Sequence, residues 1–153
     1  MGIVRVLVVE DGFEYLETYS RFLAQGFVWE RAGSGREALT RLAGEAWDAV
    51  VLDMCFDRVP PEALLGDLPS IADRFNGDAD QARTFLETHQ GLYVLEAIRE
   101  AGHRLPVLLS HDFEDEPRRW SRIYQRHQPL DYLPDNVGPA EVARRIRQLM
   151  GPP

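Results

Sequence analysis

The sequence predicts an α/β fold in which a five-stranded parallel sheet lies between two layers of helices. Three observations carry that expectation. Five short apolar runs alternate with five stretches of helical periodicity, the pattern of repeated β-α units with right-handed crossovers. The first run, "IVRVLVVE" (3–10), is β-branched and almost continuously apolar, as in a strand buried on both faces. Gly26, Gly102, Pro117 and Pro139 stand where helices should stop or start.

The elements follow in order. After the first strand, "DGFEYLETYSRFLAQG" places Tyr15, Leu16, Tyr19, Phe22 and Leu23 on one helical face, and Gly26 stops it. "FVWERA" (27–32) is a second short strand, and "GSGREALTRLAG" a turn and helix with Ala38, Leu39 and Leu42 inward. "DAVVLD" is the third strand. "GLYVLEAIREAG" (91–102) is a helix with Leu92, Leu95 and Ile98 on one face. "LPVLLS" (105–110) is the fourth strand, and "EPRRWSRIYQRH" (116–127) a helix with Pro117 in its first turn. "LDYL" (130–133) is the fifth strand. "GPAEVARRIRQLM" starts a last helix with Pro139 at its first position and buries Val142, Ile146 and Leu149.

Residues 57–90 break the alternation. They separate the third strand from its helix, where a few residues normally suffice. They read as an insertion with short helices near 61–68 and 79–89. Seven acidic residues against three arginines give the insertion a net charge of −4.

Length and composition set bounds. A chain of 153 residues suits one domain, 1–153, and 44% apolar content allows a real core. No apolar run approaches the roughly 18 residues of a membrane span. The N-terminus reads as a strand, not a signal peptide, and Val6 stands where a myristoylation signal needs Ser or Thr. The single cysteine, Cys55, excludes an internal disulfide and a cysteine-rich zinc site. These features point to a cytoplasmic protein without a membrane partner. The net charge of −8 argues against nucleic acid as the main partner. All 17 basic residues are arginine; the chain has no lysine.

In an open parallel sheet, function gathers at the carboxyl ends of the strands. The first strand ends in Glu10-Asp11, the third in Asp53 and the fourth in Ser110. If the first and third strands are neighbours, three carboxylates converge. Two like charges at ~4 Å repel by about 4 kcal/mol at an effective dielectric of 20, so the cluster calls for a cation or shifted protonation. Oxygen ligands of this kind suit Mg²⁺, which keeps several waters and bridges to phosphoryl groups. A serine hydroxyl at the same level can hydrogen-bond a phosphoryl oxygen.

On these residues the chain resembles a known family. "VLVVED", "VVLD", "GLYVLEAIR", "LPVLLS" and "DYL" are similar, in order and spacing, to the receiver domain of two-component response regulators. The resemblance covers most of the chain apart from 57–90. It implies a flavodoxin-like, doubly wound sheet of order 2-1-3-4-5. It implies that Asp53 is the phosphoacceptor, a carboxylate nucleophile. Asp11 and Asp53 would ligate Mg²⁺ with the Cys55 backbone carbonyl, Glu10 acting through water. Ser110 would be the switch hydroxyl and Tyr132 the aromatic that swings inward. The implied partners are a histidine kinase or phosphotransfer protein and a downstream effector. The implied function is that of a stand-alone receiver in a phosphorelay, not an enzyme.

The chain departs from the family's pattern in places. Receivers carry a lysine three residues after the switch aromatic, followed by proline; here Asp135 and Asn136 stand there. Asp57 stands where receivers often have proline. Phosphorylation can survive this, because Mg²⁺ neutralises most of the charge, or the domain can be a phosphorylation-independent docking module. Arg58 could restore a positive charge. His111, with Asp112, reads as a solvated loop residue before a metal ligand, and Cys55 as a carbonyl donor before a redox thiol. Arg118, Arg119, Arg122 and Arg126 surround Trp120. They are either a solvated face or a partner surface, and homodimerisation through this helix or the insertion is one form of the latter.

Two enzymatic or carrier readings compete. A Mg²⁺-dependent phosphohydrolase that also uses a strand-end aspartate wants a second aspartate two residues on, where this chain has Cys55. A flavodoxin-like cofactor carrier needs a phosphate-cradling loop after the first strand, where "EDGFEY" is anionic. The insertion, leaving the third strand at its functional end, is expected to cover or flank the pocket mouth.

Overall fold

The apolar runs form five strands: β1 (Val4–Val9), β2 (Phe27–Ala32), β3 (Ala49–Asp53), β4 (Val107–Ser110) and β5 (Leu130–Leu133). The structure is a computed structural model describing residues 2–152; Met1 and Pro153, the ends of the expected 1–153 unit, lie outside the described residues. Every strand pair is parallel and the order is β2-β1-β3-β4-β5. This is the flavodoxin-like order that the resemblance implied.

The sheet is buried on both sides, which explains why its strands are apolar without alternation. Side chains still alternate in direction along each strand. Leu7, Val9, Val50, Leu52, Val107 and Leu109 join one apolar cluster with α2 (Gly35–Gly44) and α5 (Gln90–Glu100). Val6, Val8, Ala49, Val51, Leu108 and Leu133 join a second cluster with α1 (Glu14–Phe22) and α7 (Pro139–Met150). Trp120 and Ile123 of α6 (Pro117–Arg126) pack against the first cluster.

Local chemistry sets the helix ends. α2 opens with a cap: Ser34 Oγ accepts from Glu37 N at 3.1 Å, and the Glu37 carboxylate reaches back past the cap to accept from Gly33 N. α1 begins only at Glu14 because the loop before it is committed to the pocket described below.

The insertion is helical, as its periodicity predicts, but its first half is divided. A 3-10 turn spans Pro61–Ala63 and α3 spans Leu68–Asp73, with Gly66 at φ +112° between them. The expected 61–68 helix already ends at Leu64, whose backbone is extended (ψ 138°), and the left-handed Gly66 then turns the chain into α3. α4 (Ala79–Thr88) starts at Asp78, whose carboxylate accepts from Asp80 N and Gln81 N.

The insertion touches the carboxyl end of the sheet at its edge and packs its apolar side elsewhere. Leu64, Ile71, Ala82 and Leu86 are buried in the α2–α5 cluster. The buried Gln90 amide pins the segment there, accepting from Leu65 N at 2.7 Å and donating to Leu65 O at 3.0 Å. Apolar burial therefore draws most of the insertion onto the helices, while its two ends reach the acidic end, through Arg58 N on Asp11 and through Glu87 O, which accepts from Phe56 N at 2.8 Å. No helix among the described residues is long and apolar enough to cross a membrane.

Candidate functional site

Strand register assembles the site. Val9 pairs with Leu52, and Asp53 pairs with Ser110. Glu10 and Asp53 thus follow one another across the ends of β1 and β3, with Ser110 beyond on β4. Alternation sets their direction. Asp53 shares parity with Val51, and Ser110 with Leu108, so both face the side covered by α1 and α7.

Glu10 is 1% exposed. Its Oε2 accepts from Leu16 N at 2.8 Å and its Oε1 from Tyr15 N at 3.2 Å. These are orphan amides of the α1 N-terminus, where a carboxylate is also favoured by the helix dipole. Burial nevertheless pushes the Glu10 carboxyl above its ordinary value, against the pull of those two amides. Both carboxylate oxygens of Glu10 are thus committed to α1.

Asp53 is pushed up to about 6, first by burial and then by the charges of Asp11 and Glu10. Met54 N donates to Asp53 Oδ1 at 2.8 Å and pulls in the opposite direction. The shift is what desolvation beside like charges produces. Asp11 Oδ2 accepts from Arg58 N at 2.8 Å. The Arg58 guanidinium pairs with Glu14 at 2.8 Å on the exposed rim, so its charge is shared there and does not enter the pocket. The Asp11–Gly12 turn is clamped from β2 by Arg31, which donates to both carbonyls and lies 4.0 Å over the Phe13 ring.

From beneath, α5 abuts the end of β3. Gly91 N donates to Met54 O at 2.9 Å. A Cβ on Gly91 would stand 2.5 Å from Asp53 O and 2.8 Å from Met54 Cα. Only glycine lets the helix seat against this backbone.

Ser110 Oγ donates to Tyr15 Oη at 2.8 Å. Tyr15 is half-buried in the first turn of α1, and burial raises its phenol above the usual value while the Ser110 bond lowers it. The charges of Asp53, Glu10 and Asp135 all reach that phenol. Sequence periodicity identifies Tyr15 only as an inward-facing residue; its position four residues after Asp11, on the turn nearest the strand ends, was the available signal. Tyr132 has the opposite parity. It packs edge-on against Trp120 and Phe113, at 4.7 and 5.4 Å between ring centres, on the α5–α6 side. His111 bonds Glu116 Oε2 at 3.2 Å beside Arg119 at the start of α6, as a loop residue.

The donor set is compatible with Mg²⁺. No group of three or more His, Cys, Asp or Glu side chains among the described residues forms a ready metal cluster. Asp11, Asp53 and the Cys55 carbonyl nonetheless offer two carboxylates and a backbone oxygen, and Mg²⁺ is commonly held by one or two carboxylates with waters. The Cys55 thiol is pushed up, by burial first and then by Asp57, Asp53 and Asp11, so it is a poor thiolate.

No family model matches the chain. The response regulator MprA of Mycolicibacterium vanbaalenii is 28% identical over 148 residues, covering 96% of this chain and 50% of the relative. The chain thus spans about half the length of the curated relative it matches. The Francisella response regulator 1452 receiver domain superposes with a TM-score of 0.65 at 17% identity, covering 96% of each chain. The Vibrio cholerae chemotaxis protein CheY4 superposes with a TM-score of 0.63 at 17% identity, covering 97% of this chain and 99% of its own.

Proposed function

We infer, for a chain that has the fold of a response regulator receiver domain, that Asp53 accepts a phosphoryl group and that its modification controls protein–protein contacts in two-component signalling. One observation carries the reading: a half-buried carboxylate stands at the end of β3, in register with Ser110, and is raised to about 6 by burial and by the charges of Asp11 and Glu10.

At pH 7 Asp53 is ionised and can act as the nucleophile. One carboxylate oxygen forms a bond to phosphorus as the donor's bond to phosphorus breaks, and the leaving group departs with that electron pair. Met54 N fixes the orientation of the carboxylate through Oδ1. Asp11, Asp53 and the Cys55 carbonyl would hold Mg²⁺, with Glu10 acting through water; when bound, the ion supplies positive charge against the phosphoryl oxygens. Ser110 would donate to one of those oxygens. The phosphodonor would be a histidine kinase or phosphotransfer protein.

The test is incubation with acetyl phosphate and Mg²⁺. Mass spectrometry should find one added phosphoryl group, lost in Asp53→Asn. Absence of both modification and Mg²⁺ binding would favour a docking module that works without phosphorylation. That second reading draws on Asp135, an exposed acid whose charge reaches Tyr15 where a cation would help a phosphoryl group.

A further inference from the structure

Ser110 lies in register beside Asp53, on the face covered by α1, and its hydroxyl proton is directed at Tyr15 Oη, 2.8 Å away. A serine hydroxyl has one proton to donate. While that proton is on Tyr15, it is not available to an oxygen bound at Asp53.

We propose that Tyr15 is a positioning residue, a latch whose phenol holds the Ser110 hydroxyl in the resting pocket and releases it when a phosphoryl group on Asp53 claims it. The inference rests on the reading of Asp53 as acceptor and locates the moving aromatic on α1.

The exchange is favourable in direction. It replaces a bond between two neutral hydroxyls with a bond to a charged oxygen, which is roughly twice as strong. It is also confined to a side chain. The backbone of Tyr15 is tied to Glu10 through its own amide and that of Leu16, so α1 stays while the ring turns. The movement has a route outward: the Tyr15 ring stacks on Tyr19 at 5.9 Å, and Tyr19 lies 4.9 Å from Trp29 on β2. Tyr132, on the opposite face of the sheet, makes no hydrogen bond to Ser110 among the described residues.

The test uses the full chain with Mg²⁺ and beryllofluoride as the phosphoryl mimic, with affinity read by calorimetry. Tyr15→Phe removes one oxygen and keeps the stacked ring. It should tighten beryllofluoride binding about fivefold, the equilibrium worth of one neutral hydrogen bond. In a Ser110→Ala background the same change should do nothing, because there is no hydroxyl left to release. A second readout is the emission of Trp29 with Trp47→Phe and Trp120→Phe removing the other emitters. Beryllofluoride should shift it in the Tyr15 protein and not in Tyr15→Phe. The latch is overturned if Tyr15→Phe leaves binding unchanged, weakens it, or acts equally in both backgrounds. If the unsubstituted protein binds no beryllofluoride, the acceptor reading is overturned and the latch with it. Binding that is lost in Asp53→Asn but indifferent to Tyr15 overturns the latch alone.

Discussion

Asp53 carries its charge at a position that resists it. Its carboxyl is held near 6 in the folded chain against 3.8 ordinarily. Below pH 3.8 it is protonated whether or not the chain is folded, and the difference has no effect. Between pH 3.8 and 6 folding takes up a proton, so this group makes the protein less stable as pH rises. Above 6 the full penalty remains, on the order of 2–3 kcal/mol. Asp53→Asn should therefore raise stability in metal-free buffer at pH 7.5 by roughly that amount, with little change at pH 4. Urea unfolding at the two pH values measures it. Added Mg²⁺ should narrow the gap at pH 7.5 by stabilising the parent and not the variant. An Asn variant no more stable than the parent at pH 7.5 would show that the pocket does not resist the charge. Glu10 is also raised by burial, but its carboxylate in addition caps α1 through the Tyr15 and Leu16 amides. Glu10→Ala should cost about 1–2 kcal/mol through the lost cap, seen as a lower melting temperature at pH 7.

At the scale of elements, the contact between α5 and β3 is the tightest constraint on the site. Gly91→Ala would force a Cβ into the Asp53 carbonyl. It should destabilise by about 1–3 kcal/mol and displace Asp53, lowering acetyl phosphate reactivity more than the fall in folded fraction explains. The insertion packs its apolar side on α2 and α5. Excision of 58–88 should lower stability by exposing the apolar surface under Leu64, Ile71, Ala82 and Leu86. Periodicity and turn residues make the five strands and the helices legible, since both kinds of signal are local. The 61–68 stretch instead yields only a 3-10 turn that ends at Leu64, where the Gln90 amide holds the neighbouring Leu65 backbone across 25 residues. Where the insertion lies is not local, because its apolar face could equally have covered another apolar surface.

At the scale of the molecule, the loops before β4 and β5 are joined to the end of α5 by one buried cation. Arg99 donates to the carbonyls of His103, Leu105, His127 and Pro129, and burial lowers its guanidinium to about 10. Among the described residues no carboxylate pairs with it. Arg99→Met should cost about 3 kcal/mol or more, because several carbonyls lose their donor together, and hydrogen exchange should rise in both loops at once. Local composition determined the strands, their buried character and the acidic residues at their ends, since each depends on neighbours in the chain. Spacing alone could align Glu10, Asp11, Asp53 and Ser110 as strand ends. The tertiary structure decided what each side chain does there. Strand parity sends Tyr132 to one face and Ser110 to the other, and the packing of α1 sets Tyr15 against Ser110 across 95 residues of sequence. Such partners are chosen by which helix covers which face, and that is settled only when the whole sheet is packed.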